Sequence, residues 1–241
     1  MTSSERPTRY RHIVFDLDDT LLDTSRLLIP VASREALEKM ISEGLGADLP
    51  QALNAWSELT RSPDRRPDHN RRRQDIFTQL ADRFGASDAA RVARLGSEAF
   101  YNRKVESHIT LFPGAREMID SLRKKYSLHL VTAGNSTTQK DKIEILNLGP
   151  LFESLSTVDS ARGQTKGLAF MQIAKNGGGR ANQYLSVGNR IDIDILEAKQ
   201  IGWDTCWVKY GEHASLLPLQ ASEQPDYTVD NVVEIVDKCQ L

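Results

Sequence analysis

Three acids within four residues, Asp16, Asp18 and Asp19, followed at once by Thr20, are the side chains whose types and spacing best suit chemistry. Asp16 and Asp18 lie two apart, so both can face one site if the backbone loosens just after Asp16. Two carboxylates in one cleft repel each other, so such a site wants a cation. The stretch before them, His12-Ile13-Val14-Phe15, is apolar enough for a buried parallel strand. A strand that runs into carboxylates sets them at its carboxyl end, where open α/β sheets bind ligands. An Asp-rich turn or helix cap would explain such acids if they stood alone.

They do not stand alone. A second strand is expected over 126–131, and it ends in Thr132-Ala133-Gly134-Asn135-Ser136. A hydroxyl and backbone N–H groups at the mouth of a strand suit phosphoryl oxygens, although Thr before Gly also describes an ordinary turn. Lys166 precedes a helix expected over 168–175. A further strand over 183–187 ends in Gly188-Asn189-Arg190-Ile191-Asp192-Ile193-Asp194.

Phe-Asp-Leu-Asp-Asp-Thr-Leu-Leu-Asp-Thr resembles the first motif of the haloacid dehalogenase superfamily, D-x-D-x-T. In its phosphatase branch the first Asp attacks phosphorus and the second is the acid/base. The resemblance implies Asp16 as nucleophile and Asp18 as acid/base. It assigns phosphoryl binding to Thr132, Ala133, Gly134 and Lys166, with Thr132 and Lys166 counted among the catalytic groups. The family often has Lys-Pro at the third motif; this chain has Lys166-Gly167. At the fourth motif the family usually has Gly-Asp and a second acid four or five positions on. Asp194 matches the second acid, whereas Asn189 replaces the first. The implied Mg²⁺ set is therefore Asp16, Asp18 through its carbonyl, Asn189 and Asp194. An amide oxygen can still ligate a hard cation but brings no charge. Asp192 is a candidate substitute, and either Asp192 or Asp194 could instead cap the following helix.

The rest of the chain must position these groups. Its 241 residues fit one large domain or a core with a smaller insertion. At 39% hydrophobic and 27% charged it reads as soluble and globular, and a net charge of -2 gives no sign of nucleic acid or membrane binding. No signal-peptide core or bilayer-length apolar run occurs. Cys206 and Cys239 make no zinc or redox spacing, so a reducing, cytoplasmic setting is expected. The first ten residues read as a loose arm.

From 24 to 110 the pattern is helical, with helices expected over 32–44, 51–60, 72–84 and 88–105 and no strand signal. The expected organisation is an α/β core, Rossmann-like with a parallel sheet, from 1–23 and 111–241. A helical cap over 24–110 interrupts it, as the resemblance also implies. Within the block, the basic stretch from Arg65 to Arg73 reads as a solvated loop and helix start rather than an anion-attracting surface. Trp56, Phe77, Phe100 and Tyr101 read as helical core. Asn176-Gly177-Gly178-Gly179-Arg180 lacks the Lys and Ser/Thr of a phosphate loop and reads as a plain connection.

These expectations converge on a Mg²⁺-dependent phosphatase of a small phosphorylated metabolite that works through an aspartyl-phosphate. Asp18 argues against a dehalogenase, which lacks the second acid. A phosphonate hydrolase would want a cap lysine, and only Lys39 is on offer. A phosphomutase shares the two acids. Asn189 keeps open a weakened relative that binds a phosphometabolite or a partner. Oligomeric state is not readable from the sequence.

Overall fold

The computed structural model describes residues 9–61, 69–101, 109–159 and 162–241. Parts of the basic stretch (65–68), of the fourth expected helix (102–105) and of the amino-terminal arm (1–8) lie outside them.

Six parallel strands form one sheet: β1 His12–Phe15, β2 Ser127–Ala133, β3 Ser154–Val158, β4 Tyr184–Gly188, β5 Asp204–Val208 and β6 Tyr227–Val229. Their order is β3-β2-β1-β4-β5-β6, which puts β1 at the centre. Phe15 pairs with Leu130 of β2 on one side and with Val187 of β4 on the other. Three of the site-bearing strands therefore end side by side. Pleating sends alternate residues to opposite faces. Ile13 and Phe15 join the larger apolar cluster, while Val14 joins a second one on the other face.

Ten helices are described: α1 Thr24–Leu27, α2 Ile29–Ser42, α3 Leu49–Thr60, α4 His69–Arg83, α5 Ala89–Tyr101, α6 Ala115–Leu122, α7 Ser136–Ile145, α8 Lys166–Gly177, α9 Leu196–Gln200 and α10 Ile235–Lys238. The first five follow β1 directly, and among the described residues of 24–101 there is no strand. They hold an apolar cluster of their own, including Leu37, Met40 and Leu80. At its centre Trp56, Phe77 and Phe100 meet at ring-centroid distances of 5.2–5.9 Å. Asp48 and Gln51 cap α3 reciprocally, through Asp48 Oδ1 to the Gln51 N–H and Gln51 Oε1 to the Asp48 N–H.

One sequence expectation is corrected here. Tyr10 is not part of a loose arm: it is 2% exposed, and its hydroxyl donates to Asp204 Oδ2 at 2.7 Å. Ring burial and a carboxylate partner outweigh the polar neighbours on which the expectation rested. Ile191–Ile195, within the stretch that carries the fourth motif, forms a π-helical turn leading into α9. No helix among the described residues is long and apolar enough to cross a membrane.

Candidate active site

Asp16 follows directly on β1, and its N–H still donates to the carbonyl of Val187. Alternation with Val14 carries its side chain to the face where α8 begins. There Lys166 Nζ lies 2.6 Å from Asp16 Oδ1 and 2.6 Å from Asp194 Oδ1, all three side chains being buried. The sequence placed Lys166 ahead of its helix; it is instead the first residue of α8, behind Thr165, whose hydroxyl caps Leu168 N–H. Asp194 stands behind Lys166, and its Oδ2 accepts from the Arg190 N–H at 2.9 Å. The close approach explains Gly188, where a β-carbon would overlap the Asp194 carboxylate. Neither Asp192 nor Asp194 caps a helix.

The backbone loosens just after Asp16. The Leu17 carbonyl accepts from the N–H groups of Thr20, Leu21 and Leu22, and Asp19 takes a left-handed φ of 55°. This turn delivers Asp18 to the same cavity as Asp16. Asp18 is gripped there by Lys142 Nζ at 2.6 Å, Gln139 Nε2 at 2.7 Å and the hydroxyl of Thr24. Lys142 and Gln139 sit on α7 and Thr24 on α1, and sequence reading found none of the three. The signal for the first two was their i,i+3 spacing on the helix that follows Thr132.

Burial and the nearby Asp194 push the Asp16 carboxyl up to about 7, against the pull of Lys166. Burial acts upward on Asp18 as well, but Lys142 and the hydrogen bonds of Thr24 and Gln139 outweigh it and hold Asp18 below the usual range. Lys166 is raised: burial opposes its charge, and the two carboxylates more than offset that. The site thus holds Asp18 as a carboxylate and Lys166 as a cation.

Ala133 and Gly134 line the cavity at the end of β2. Thr132 is fully buried beside them, and its hydroxyl has no hydrogen-bond partner among the described residues. Asn189 also lines the cavity. Its Nδ2 donates to the Tyr210 carbonyl at 3.4 Å, and its main-chain carbonyl accepts from Trp207 Nε1 at 3.0 Å. Asp192 is not turned to the site: Arg190 holds both of its oxygens, with Nε 2.7 Å from Oδ1. Among the described residues no group of three His, Cys, Asp or Glu side chains converges on one metal position. Lys39, on α2, pairs with Glu43 just past the helix end, and it does not line the cavity.

From the helical block, Phe100, Tyr101 and Arg73 reach the same cavity, which encloses about 200 Å³. Here the structure corrects the solvated reading of the basic stretch. Arg72 and Arg73 are 5% and 6% exposed: Arg73 lies against the rings of Trp56 and Phe100, and Arg72 Nη2 donates to the Thr60 carbonyl at 3.3 Å.

A fold with this strand order and these acids after its central strand can be set beside known proteins. The haloacid dehalogenase-like hydrolase family matches residues 10–202, and the chain belongs to that family. It is 32% identical over 232 residues, 95% of this chain and 92% of the relative, to a glyceraldehyde 3-phosphate phosphatase of Pyrococcus furiosus. A crystal structure of a predicted phosphoglycolate phosphatase from Haemophilus somnus superimposes with a TM-score of 0.73 at 19% identity, covering 96% of this chain and 99% of that one. The HAD-hydrolase YfnB of Bacillus subtilis, whose structure was solved bound to magnesium and shows interdomain movement, gives 0.66 at 22% identity over 95% and 98%.

Proposed function

We propose that this phosphoric monoester hydrolase is Mg²⁺-dependent and acts on a small phosphorylated metabolite through an aspartyl-phosphate. The observation that carries the reading is the convergence of Asp16 and Asp18 after β1 in one small cavity, with Lys166 Nζ 2.6 Å from Asp16. The relatives matched over most of the chain support the substrate class, since the Pyrococcus furiosus protein is a glyceraldehyde 3-phosphate phosphatase.

Asp16 attacks phosphorus and forms the acyl phosphate, splitting one hard displacement into two easier steps. Asp16 Oδ2 is free for that approach, its nearest partner being the Thr20 hydroxyl at 3.5 Å. Lys166 and the unpartnered hydroxyl of Thr132 hold phosphoryl oxygens, aided by the backbone of Ala133, while Gly134, whose N–H donates to the Val158 carbonyl at 2.9 Å, shapes the turn beside them. Asp18, kept acidic by Lys142 and its hydrogen bonds, is ready to take the proton of the attacking water in the second step. Its earlier role, protonation of the leaving alcohol, requires it to gain a proton first. A phosphate entering beside Lys142 favours this by competing for the cation that keeps Asp18 charged.

The oxygen-only donors available for the metal suit a hard cation. Asp16, the Asp18 carbonyl and Asn189 would hold Mg²⁺, with Asp194 behind Lys166 as the remaining acid. When bound, the ion offsets repulsion between the attacking carboxylate and the phosphate. The helices between β1 and α6 act as a cap that limits the cavity to small esters and excludes water. The test is phosphate release from glyceraldehyde 3-phosphate and p-nitrophenyl phosphate, with and without Mg²⁺. Metal-dependent turnover is expected. Inactivity on every ester at saturating Mg²⁺, restored by Asn189→Asp, would favour the binding-module reading that Asn189 suggests.

A further inference from the structure

Among the described residues of the helical block, Arg73 is the charged one on the cavity wall, and its surroundings are unusual. The guanidinium carbon lies 5.1 Å from the Trp56 ring and 5.4 Å from the Phe100 ring, so two aromatic faces fix its plane. Its Nη2 alone reaches across to the core, 2.6 Å and 2.5 Å from the two oxygens of Glu212. This is not the two-nitrogen fork with which arginine usually grips a carboxylate. Nη1 is left buried with no hydrogen-bond partner among the described residues. A buried donor of a charged group without an acceptor is costly, and such exceptions call for an explanation. The cavity that Arg73 shares with Asp16 and Asp18 supplies one.

We propose that Arg73 is a specificity-determining residue, whose Nη1 donates to an uncharged oxygen on the substrate end away from phosphorus. This rests on the phosphatase reading of the same cavity. Glu212 decides the class of oxygen. It already neutralises the guanidinium and lies on the cavity wall, so a substrate carboxylate would meet a like charge there. A hydroxyl or carbonyl oxygen meets none. The same cavity wall carries the apolar Leu28, Ile29 and Phe100, and its other cation from this side, Arg190, is already paired with Asp192. The favoured substrates are short polyol or aldehyde phosphates, not phosphorylated acids. Loss of a buried hydrogen bond to a charged group corresponds to roughly 10- to 100-fold in kcat/KM.

The experiment compares kcat/KM for glyceraldehyde 3-phosphate, 3-phosphoglycerate and n-propyl phosphate in the full chain. The wild type should prefer glyceraldehyde 3-phosphate to the propyl ester by about that factor, and Arg73→Met should bring the ratio close to one. Because Arg73→Met strands Glu212, the double variant Arg73→Met with Glu212→Gln is measured beside it and should give the same collapsed ratio. Glu212→Gln alone, which leaves Arg73 a net charge, should improve 3-phosphoglycerate relative to the wild type. A ratio that survives both Arg73 variants, equal losses on both esters, or a wild-type preference for 3-phosphoglycerate overturns the assignment. If the wild type hydrolyses none of these esters nor p-nitrophenyl phosphate, the phosphatase reading itself falls, and the role of Arg73 falls with it.

Discussion

The two ends of the parallel sheet both bury polar side chains, yet they treat them differently. At the amino end the polar groups partner one another. Tyr10 donates to Asp204, which also pairs with Arg9 at 2.7 Å. His12 Nδ1 meets His129 Nε2 at 3.2 Å, and His129 Nδ1 meets the Ser154 hydroxyl at 2.8 Å. Stacked rings of His12, Tyr184 and Trp203 cover this network. Among the described residues the Tyr126 hydroxyl is its unpartnered member. At the carboxyl end, Gln139 Oε1 and Arg73 Nη1 on the cavity wall, and Thr132 Oγ1 behind Ala133, are buried without hydrogen-bond partners among the described residues. Buried polar groups are nearly always satisfied. The end with several left open is the end built for something that arrives later, and the closed end is built for stability.

Substitutions at the two ends should therefore fail in different ways. The largest effect is expected for Asp16→Asn, which should lower turnover by on the order of 10⁴-fold or more, as loss of a nucleophile does elsewhere. Its circular dichroism should stay native. Asp18→Ala comes next, with a loss on the order of 10²–10⁴-fold; near-normal turnover would remove Asp18 from the chemistry.

Asn189→Asp should act in the opposite direction. Added charge beside a divalent cation is favourable, so half-saturation by Mg²⁺ should shift down by on the order of tenfold, with a faster rate at limiting metal. An unchanged Mg²⁺ titration would mean that position 189 does not face the ion. At the amino end, Tyr10→Phe should leave kcat and KM alone and cost about 1–2 kcal/mol of stability, read from urea midpoints, for a hydrogen bond to a charged group. A fall in kcat from this change would blur the distinction between the two ends.

The smallest effect concerns pH. Burial lowers His129 to about 4, and it lowers His12 too. In the unfolded chain both titrate near 6.5. Unfolded molecules therefore bind protons first on acidification, and this contribution to stability is full above about 6.5 and is lost as pH falls toward 4. His129→Gln should flatten that part of the melting-temperature profile relative to the wild type. An identical slope would show that the pair does not couple to folding.

Much of this arrangement was legible in the residues. An apolar stretch running into Asp16 and Asp18, a strand ending at Thr132 and a lysine before a helix gave the parallel core and the places of its site. Local pattern carries such information because a strand end and its loop are continuous in sequence. Lys142, Gln139 and Arg73 were hidden for the converse reason. Each is a polar residue on a helix, and helical spacing alone does not tell a solvated face from one turned into a cavity by tertiary packing. Asp18 shows the same limit: its position was readable, but its ionised state depends on a lysine 124 positions away. Tyr10 was misread because its partners, Asp204 and Tyr227, lie at the far end of the chain.

The central claim is that Asp16 carries the phosphoryl group during turnover. It is tested most directly by mixing enzyme and substrate under single-turnover conditions, quenching in acid and mapping phosphorylation by mass spectrometry. The expected result is a phosphoryl group on Asp16 that appears before free phosphate and decays as phosphate is released. A phosphoryl group on another residue, or full turnover with no covalent species at any time, would contradict the account.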